Sequence, residues 1–175
     1  VARAPDGKNL KMRVRVCWRR EGRNQRERQY AAAQLRARLR NDDWEGTLRF
    51  IVERDLVHGN THSLVIQRDG AAIVFAALIP RDALMPIWLR QREISADLHR
   101  QNLMGDITKN HAMNGSSPTL WLQDDRTPAA HVVADALWSW PGVADLAKIG
   151  AGPLGSMDDT FDDCPSVDYA ALGSD

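Results

Sequence analysis

Cysteine is almost absent: the 175 residues hold two, Cys17 and Cys164. They are far apart and form no Cys-x-x-Cys pair, which excludes a disulfide framework and a thiolate zinc site. Both read as ordinary thiols, although arginines beside Cys17 would lower its pKa and make it reactive if they shared its face. No apolar run approaches the roughly 18 residues of a membrane-spanning helix, and charge stands near the start where a secretory leader is apolar. The expectation is a cytoplasmic protein. A glycine-rich phosphate loop, a Gly-x-Ser-x-Gly elbow and the acidic residue followed by Glu-x-Lys of a nuclease core are all missing, and so is any internal repeat. Lysine is scarce, four against 19 arginines, and three Phe and two Tyr accompany six Trp. Most of those tryptophans are expected as core or interface anchors.

What is present is charge, and it is partitioned. Residues 1–56 hold 15 Lys+Arg against 8 Asp+Glu, residues 57–126 hold 7 against 7, and residues 127–175 hold 1 against 8. A formal net charge of zero therefore conceals a basic head and an acidic tail. Such a partition points to a polyanion or a charged protein as partner. The length suits one domain rather than two. The reading is a single α+β domain over 1–149, with a basic N-terminal strand-helix unit, followed by an acidic mobile tail over 150–175. The tail carries Asp158, Asp159, Asp162, Asp163 and Asp168 and no cation. It is expected to compete with polyanions for the basic head or to dock another protein.

The basic head has a pattern. Over residues 10–19, Leu10, Met12, Val14, Val16 and Trp18 alternate with Lys11, Arg13, Arg15, Cys17 and Arg19. Side chains of a strand point alternately to opposite faces, so this stretch predicts a strand that buries the apolar row and displays the cations. Asn24 followed by Glu27 resembles a capping box and predicts a helix over 25–40, closed by Asn41, Asp42 and Asp43, with Arg28, Arg36 and Arg40 on its wet side. A short strand is expected over 47–53 and a turn at 58–60. Strands over 64–67 and 71–79 are joined by an Asp-Gly hairpin signal, the second apolar throughout and so expected in mid-sheet, covered on both faces. A helix from about Asp82 to Leu103, a strand over 119–122 and a helix capped by Thr127 complete the reading. The fold class is α+β: a mostly antiparallel sheet of about five strands with about three packed helices.

Three clusters carry candidate chemistry. His58 and His62 stand four apart, a metal-ligand spacing on a helix, but Gly59 and Asn60 between them make the segment a turn. The polar stretch 104–118 brings Lys109, Asn110, His111, Asn114, Ser116 and Ser117 together, with His111 as a general-base candidate. Asp124 and Asp125 follow a strand, a usual place for metal-binding carboxylates, and equally suit the start of a helix. The leading expectation is a small nucleic-acid-binding protein, for DNA or RNA, with Lys11, Arg13, Arg15, Arg19, Arg20, Arg23, Arg28, Arg36, Arg40 and Lys109 on phosphates. The alternatives are a metal-dependent phosphate-ester hydrolase, with His111 as base and Asp124 or Asp125 holding the metal, and an assembly protein whose head meets an acidic tail. No cofactor can be named from these residues.

Overall fold

A parallel strand pair sets the frame: β3 (Met12–Trp18) lies beside β5 (His62–Asp69), and α1 (Trp44–Val57) lies between them in sequence. β5 returns antiparallel as β6 (Ala72–Pro80), and the short β8 (Ala144–Asp145) adds to the other side of β6. The resulting order is β3-β5-β6-β8. A second sheet pairs β4 (Ala32–Arg36) antiparallel with β7 (Thr119–Asp124), and β1 (Ala2–Arg3) pairs with β2 (Asn9–Leu10). The helices α2 (Arg81–Arg100), α3 (His131–Trp138) and α4 (Leu146–Ile149) complete the elements among the described residues. This computed structural model describes residues 2–3, 7, 9–18, 32–69, 71–105 and 118–149. The fold is α+β as expected, antiparallel in every described pairing except β3 with β5. The expected acidic tail, the stretch around His111 and the first half of the helix expected over 25–40 fall outside the described residues.

The core forms where the first sheet, α1, α2 and β7 meet. Leu48 and Ile51 of α1, Val65, Ala77 and Ile79 of the sheet, Leu84, Ile87 and Trp88 of α2, and Leu120 and Leu122 of β7 belong to one buried cluster. A second cluster joins Leu98 and Met104 to Trp121, Val133 and Ala134. Each large side chain buried this way stabilises the fold by about 1.5–3 kcal/mol relative to exposure. A buried amide links α2 to β7: Gln91 Nε2 donates to the Trp121 carbonyl at 2.8 Å, and the Trp121 N–H donates to Gln91 Oε1 at 2.9 Å. Trp88 and Trp121 are buried, while Trp44, Trp138 and Trp140 pack partly buried against the core, in line with their expected anchoring role.

Several local expectations are corrected. A strand occupies 32–36 where the sequence suggested a helix, and a helix spans Trp44–Val57 where it suggested a strand over 47–53. The Ala-rich segment has helical propensity, but pairing with β7 overrides it. Asn41 and Asp42, both left-handed at φ 50° and 54°, form a tight turn closed by the Asp43 N–H donating to the Arg40 carbonyl. They therefore begin a helix instead of ending one. The Asp43 side chain accepts from the Gly46 N–H and caps α1. Leu48, Ile51 and Asp55 then take the buried side at helical spacing. At the other end Gly59, φ 67°, lets the chain leave α1, so the expected turn at 58–60 is present. The β5–β6 hairpin is also present. β6 is buried at Ala76, Ala77 and Ile79 but exposed at Ile73 and Val74, so only its second half is covered on both faces. Thr127 does not cap α3, which begins at His131; its hydroxyl donates to the Leu103 carbonyl.

The largest correction concerns β3. It is a strand, but its faces are the reverse of those expected: Val14 and Val16 are 53% and 47% exposed. The parallel register sets Arg13, Arg15 and Cys17 beside Ser63, Val65 and Gln67, the buried row of β5. Arginines tolerate that side because α1 presents Asp55, 1% exposed, as their partner.

Candidate functional site

The cations that gather on this fold do so at a cleft between α1, the chain entering it, β3 and α2. Beyond β4 the chain runs to Arg40 without regular secondary structure, and exposure alternates: Leu35, Ala37 and Leu39 are half-buried while Arg36, Arg38 and Arg40 are exposed. A row of exposed cations at alternate positions thus exists at 36–40, of which Arg36 alone belongs to β4, rather than at 13–15. Arg54 projects from α1 and Arg15 from β3, and all five arginines line one cavity of about 280 Å³ together with Thr47, Phe50, Ile51 and Trp88. No carboxylate is among the described lining residues.

The deep end is held in place. Arg15 donates through Nη1 to Ser63 Oγ at 3.0 Å and through Nη2 to Asp55 Oδ2 at 3.4 Å. Arg13 donates through Nε to Asp55 Oδ1. Burial draws the Arg15 guanidinium below its ordinary pKa; Asp55 opposes this, and the like charges of Arg13 and Arg54 add to it. One carboxylate thus answers two arginines, and the local charge stays positive. At the rim, the Arg40 guanidinium lies 3.6 Å from the Phe50 ring centroid; that of the half-buried Arg54 lies 5.7 Å from it. These stacks hold the arginines side by side at modest energy, about 0.5–1 kcal/mol where exposed. Arg38, Arg40 and Arg54 have no carboxylate partner among the described residues.

Of the residues singled out from sequence, Arg15, Arg36 and Arg40 line this cleft. Arg13 lies behind it on Asp55, and Lys11 is exposed beside the turn at Thr61, whose N–H donates to the Lys11 carbonyl. Arg19, Arg20, Arg23, Arg28, Lys109 and His111 lie outside the described residues. Arg38 and Arg54 were missed. The alternation Arg36, Arg38, Arg40 was visible in sequence but was read at helical spacing, and nothing local links Arg54 to it.

The carboxylates intended for a metal are engaged otherwise. Asp124, 1% exposed, accepts from Arg126 Nε at 2.7 Å and Nη2 at 2.6 Å, and that guanidinium stacks 4.3 Å from the Trp121 ring centroid. Asp125 accepts from Gln123 Nε2 at 2.6 Å. No group of three or more His, Cys, Asp and Glu that could hold a metal occurs among the described residues. His58 ends α1, and His62 begins β5 with Nδ1 2.9 Å from Thr61 Oγ1 and its pKa lowered by burial.

Cys17 is not the reactive thiol its arginine neighbours suggested. It is buried, and burial pushes its thiol up to about 11, against a smaller opposing pull from Arg15. The folded protein therefore holds this proton more tightly than the unfolded chain, whose thiols titrate near about 8.5. Stability from this group is complete below that value and is lost as the pH rises toward about 11. Urea melts at about pH 8 and about pH 10 should show a smaller drop in Cys17→Ala than in the parent. Equal drops would show that Cys17 does not titrate in this way.

No helix among the described residues is long and apolar enough to cross a membrane. No protein-family model, curated protein or solved structure matches this chain.

Proposed function

We propose that this protein binds nucleic acid through phosphate contacts made by the arginine-lined cleft. The observation that carries the reading is the convergence of Arg15, Arg36, Arg38, Arg40 and Arg54 on one concave surface without a lining carboxylate among the described residues. Arginine presents a planar fork of donors that matches phosphate oxygens in pairs, which makes such a cluster a better phosphate receptor than an equal charge of lysine. Arg36, Arg38 and Arg40 supply three exposed cations at alternate positions of one short stretch, a placement that suits successive phosphates of a strand. Phe50, 37% exposed, holds Arg40 and Arg54 against its ring and so presents two guanidiniums together at the cleft. Contacts of this type give affinity with little sequence preference.

A second reading, the hydrolase, would require Asp124 to be released from Arg126 and Asp125 from Gln123 before either could hold a metal. The direct test is a salt titration of binding to labelled single-stranded and duplex DNA and RNA. Four or five phosphate contacts predict a log–log slope of about −3 for single strands, from roughly 0.7 counterions released per contact. Absence of binding at low ionic strength, or binding insensitive to salt, would overturn the proposal.

A further inference from the structure

Concavity distinguishes this cleft from a groove that tracks a nucleic-acid backbone. Its volume, about 280 Å³, lies at the small end of ligand pockets and accommodates one nucleotide-sized group inside, while the exposed Arg36, Arg38 and Arg40 leave the rim to the strand that follows. Its inner wall includes Thr47, Ile51 and Trp88, which are 1%, 8% and 1% exposed. An internal phosphodiester needs an open path for the chain on both sides, whereas a chain end needs only one.

Two buried donors belong to residues lining this same cavity. Trp88 Nε1 and Arg54 Nε have no hydrogen-bond partner among the described residues. Arg15 holds its position through Ser63 and Asp55, which take only two of a guanidinium's five N–H donors. Asp55 also serves Arg13, so the deep end keeps a positive charge that no lining carboxylate among the described residues cancels. A terminal phosphate fits this set better than an internal one: it carries three unesterified oxygens and a charge near −2, against two and −1 for a diester.

Resting on the nucleic-acid reading above, we infer that the cleft is an end-binding site for the terminal phosphomonoester of a nucleic-acid strand. The phosphate sits on Arg15 and Arg54 at the deep end, and the following phosphates meet Arg36, Arg38 and Arg40 at the rim.

The test compares one short, internally labelled single strand in three forms, with a 5′-phosphate, with a 3′-phosphate and with hydroxyls at both ends, by fluorescence anisotropy at fixed salt. One phosphorylated form should bind about tenfold more tightly than the hydroxyl form, the gain expected from added charge-assisted hydrogen bonds. Arg54→Gln should collapse that ratio to about one, and Trp88→Phe, which removes only the indole donor, should reduce it; melting curves confirm folding of each variant. Equal affinity for all three strands overturns the end-site inference and leaves the proposed function standing. No binding of any strand overturns both. A nucleoside monophosphate carries the same group, so it serves as competitor: displacement at a concentration below the strand's own dissociation constant would assign the pocket to free nucleotides and overturn the strand assignment.

Discussion

Asp55→Ala should destabilise the protein by about 3–5 kcal/mol, the usual cost of removing one partner from a buried ion pair. The carboxylate is 1% exposed and accepts from Arg13 and Arg15, whose side chains are 27% and 15% exposed. Without it, two guanidiniums would share a small enclosed region with no counter-charge, and one or both would have to swing outward against the packing of β3 under α1. Ser63, the second partner of Arg15, is neutral and cannot take over the charge. Chemical denaturation of Asp55→Ala and Asp55→Asn separates the contributions, since the amide keeps a hydrogen-bonding group while losing the charge. A loss below about 1 kcal/mol in the alanine variant would show that the arginines relax freely into water.

The second large effect is on binding. Reversing the rim with Arg38→Glu and Arg40→Glu together should weaken nucleic-acid binding at least about a hundredfold at low salt. It should also lessen the salt slope by about 1.4 for single strands, two contacts at roughly 0.7 each. Both residues are exposed and neither has a carboxylate partner among the described residues, so the fold should tolerate the change. The known cost is the stacking of Arg40 on Phe50, about 0.5–1 kcal/mol. Arg13→Glu with Arg15→Glu, the pair suggested by sequence, is a poorer probe. It would set carboxylates against buried Asp55 and unfold the protein before binding could be read.

The α+β class, the β5–β6 hairpin, the helix near 82–103 and the strand near 119–122 were legible because each has a local cause. Turn residues, a proline with an aspartate at a helix entrance, and short apolar runs act within a few residues of where they stand. The segment 32–57 was misread for the opposite reason. Asn41–Asp43 has polar turn chemistry that serves equally to end a helix or to turn the chain and cap the next one, and only the pairing of Ala32–Arg36 with β7 selects the second.

The same division holds at the candidate site. Alternation in the sequence determined by itself that β3 has two chemically distinct faces, and that a row of cations could stand on one side of an extended chain. It could not determine which face turns inward. Hydrophobic burial alone favours covering Val14 and Val16, yet the arginine face is the inner one, and Asp55, 40 residues beyond Arg15, supplies the charge that lets it be. Tertiary structure therefore decided both that the expected row is held inside and that Arg36, Arg38 and Arg40 replace it outside, joined by Arg54 from a helix the local pattern did not reveal. An ion pair between distant segments makes an inward arginine face tolerable, and its partner is one that period and propensity do not encode.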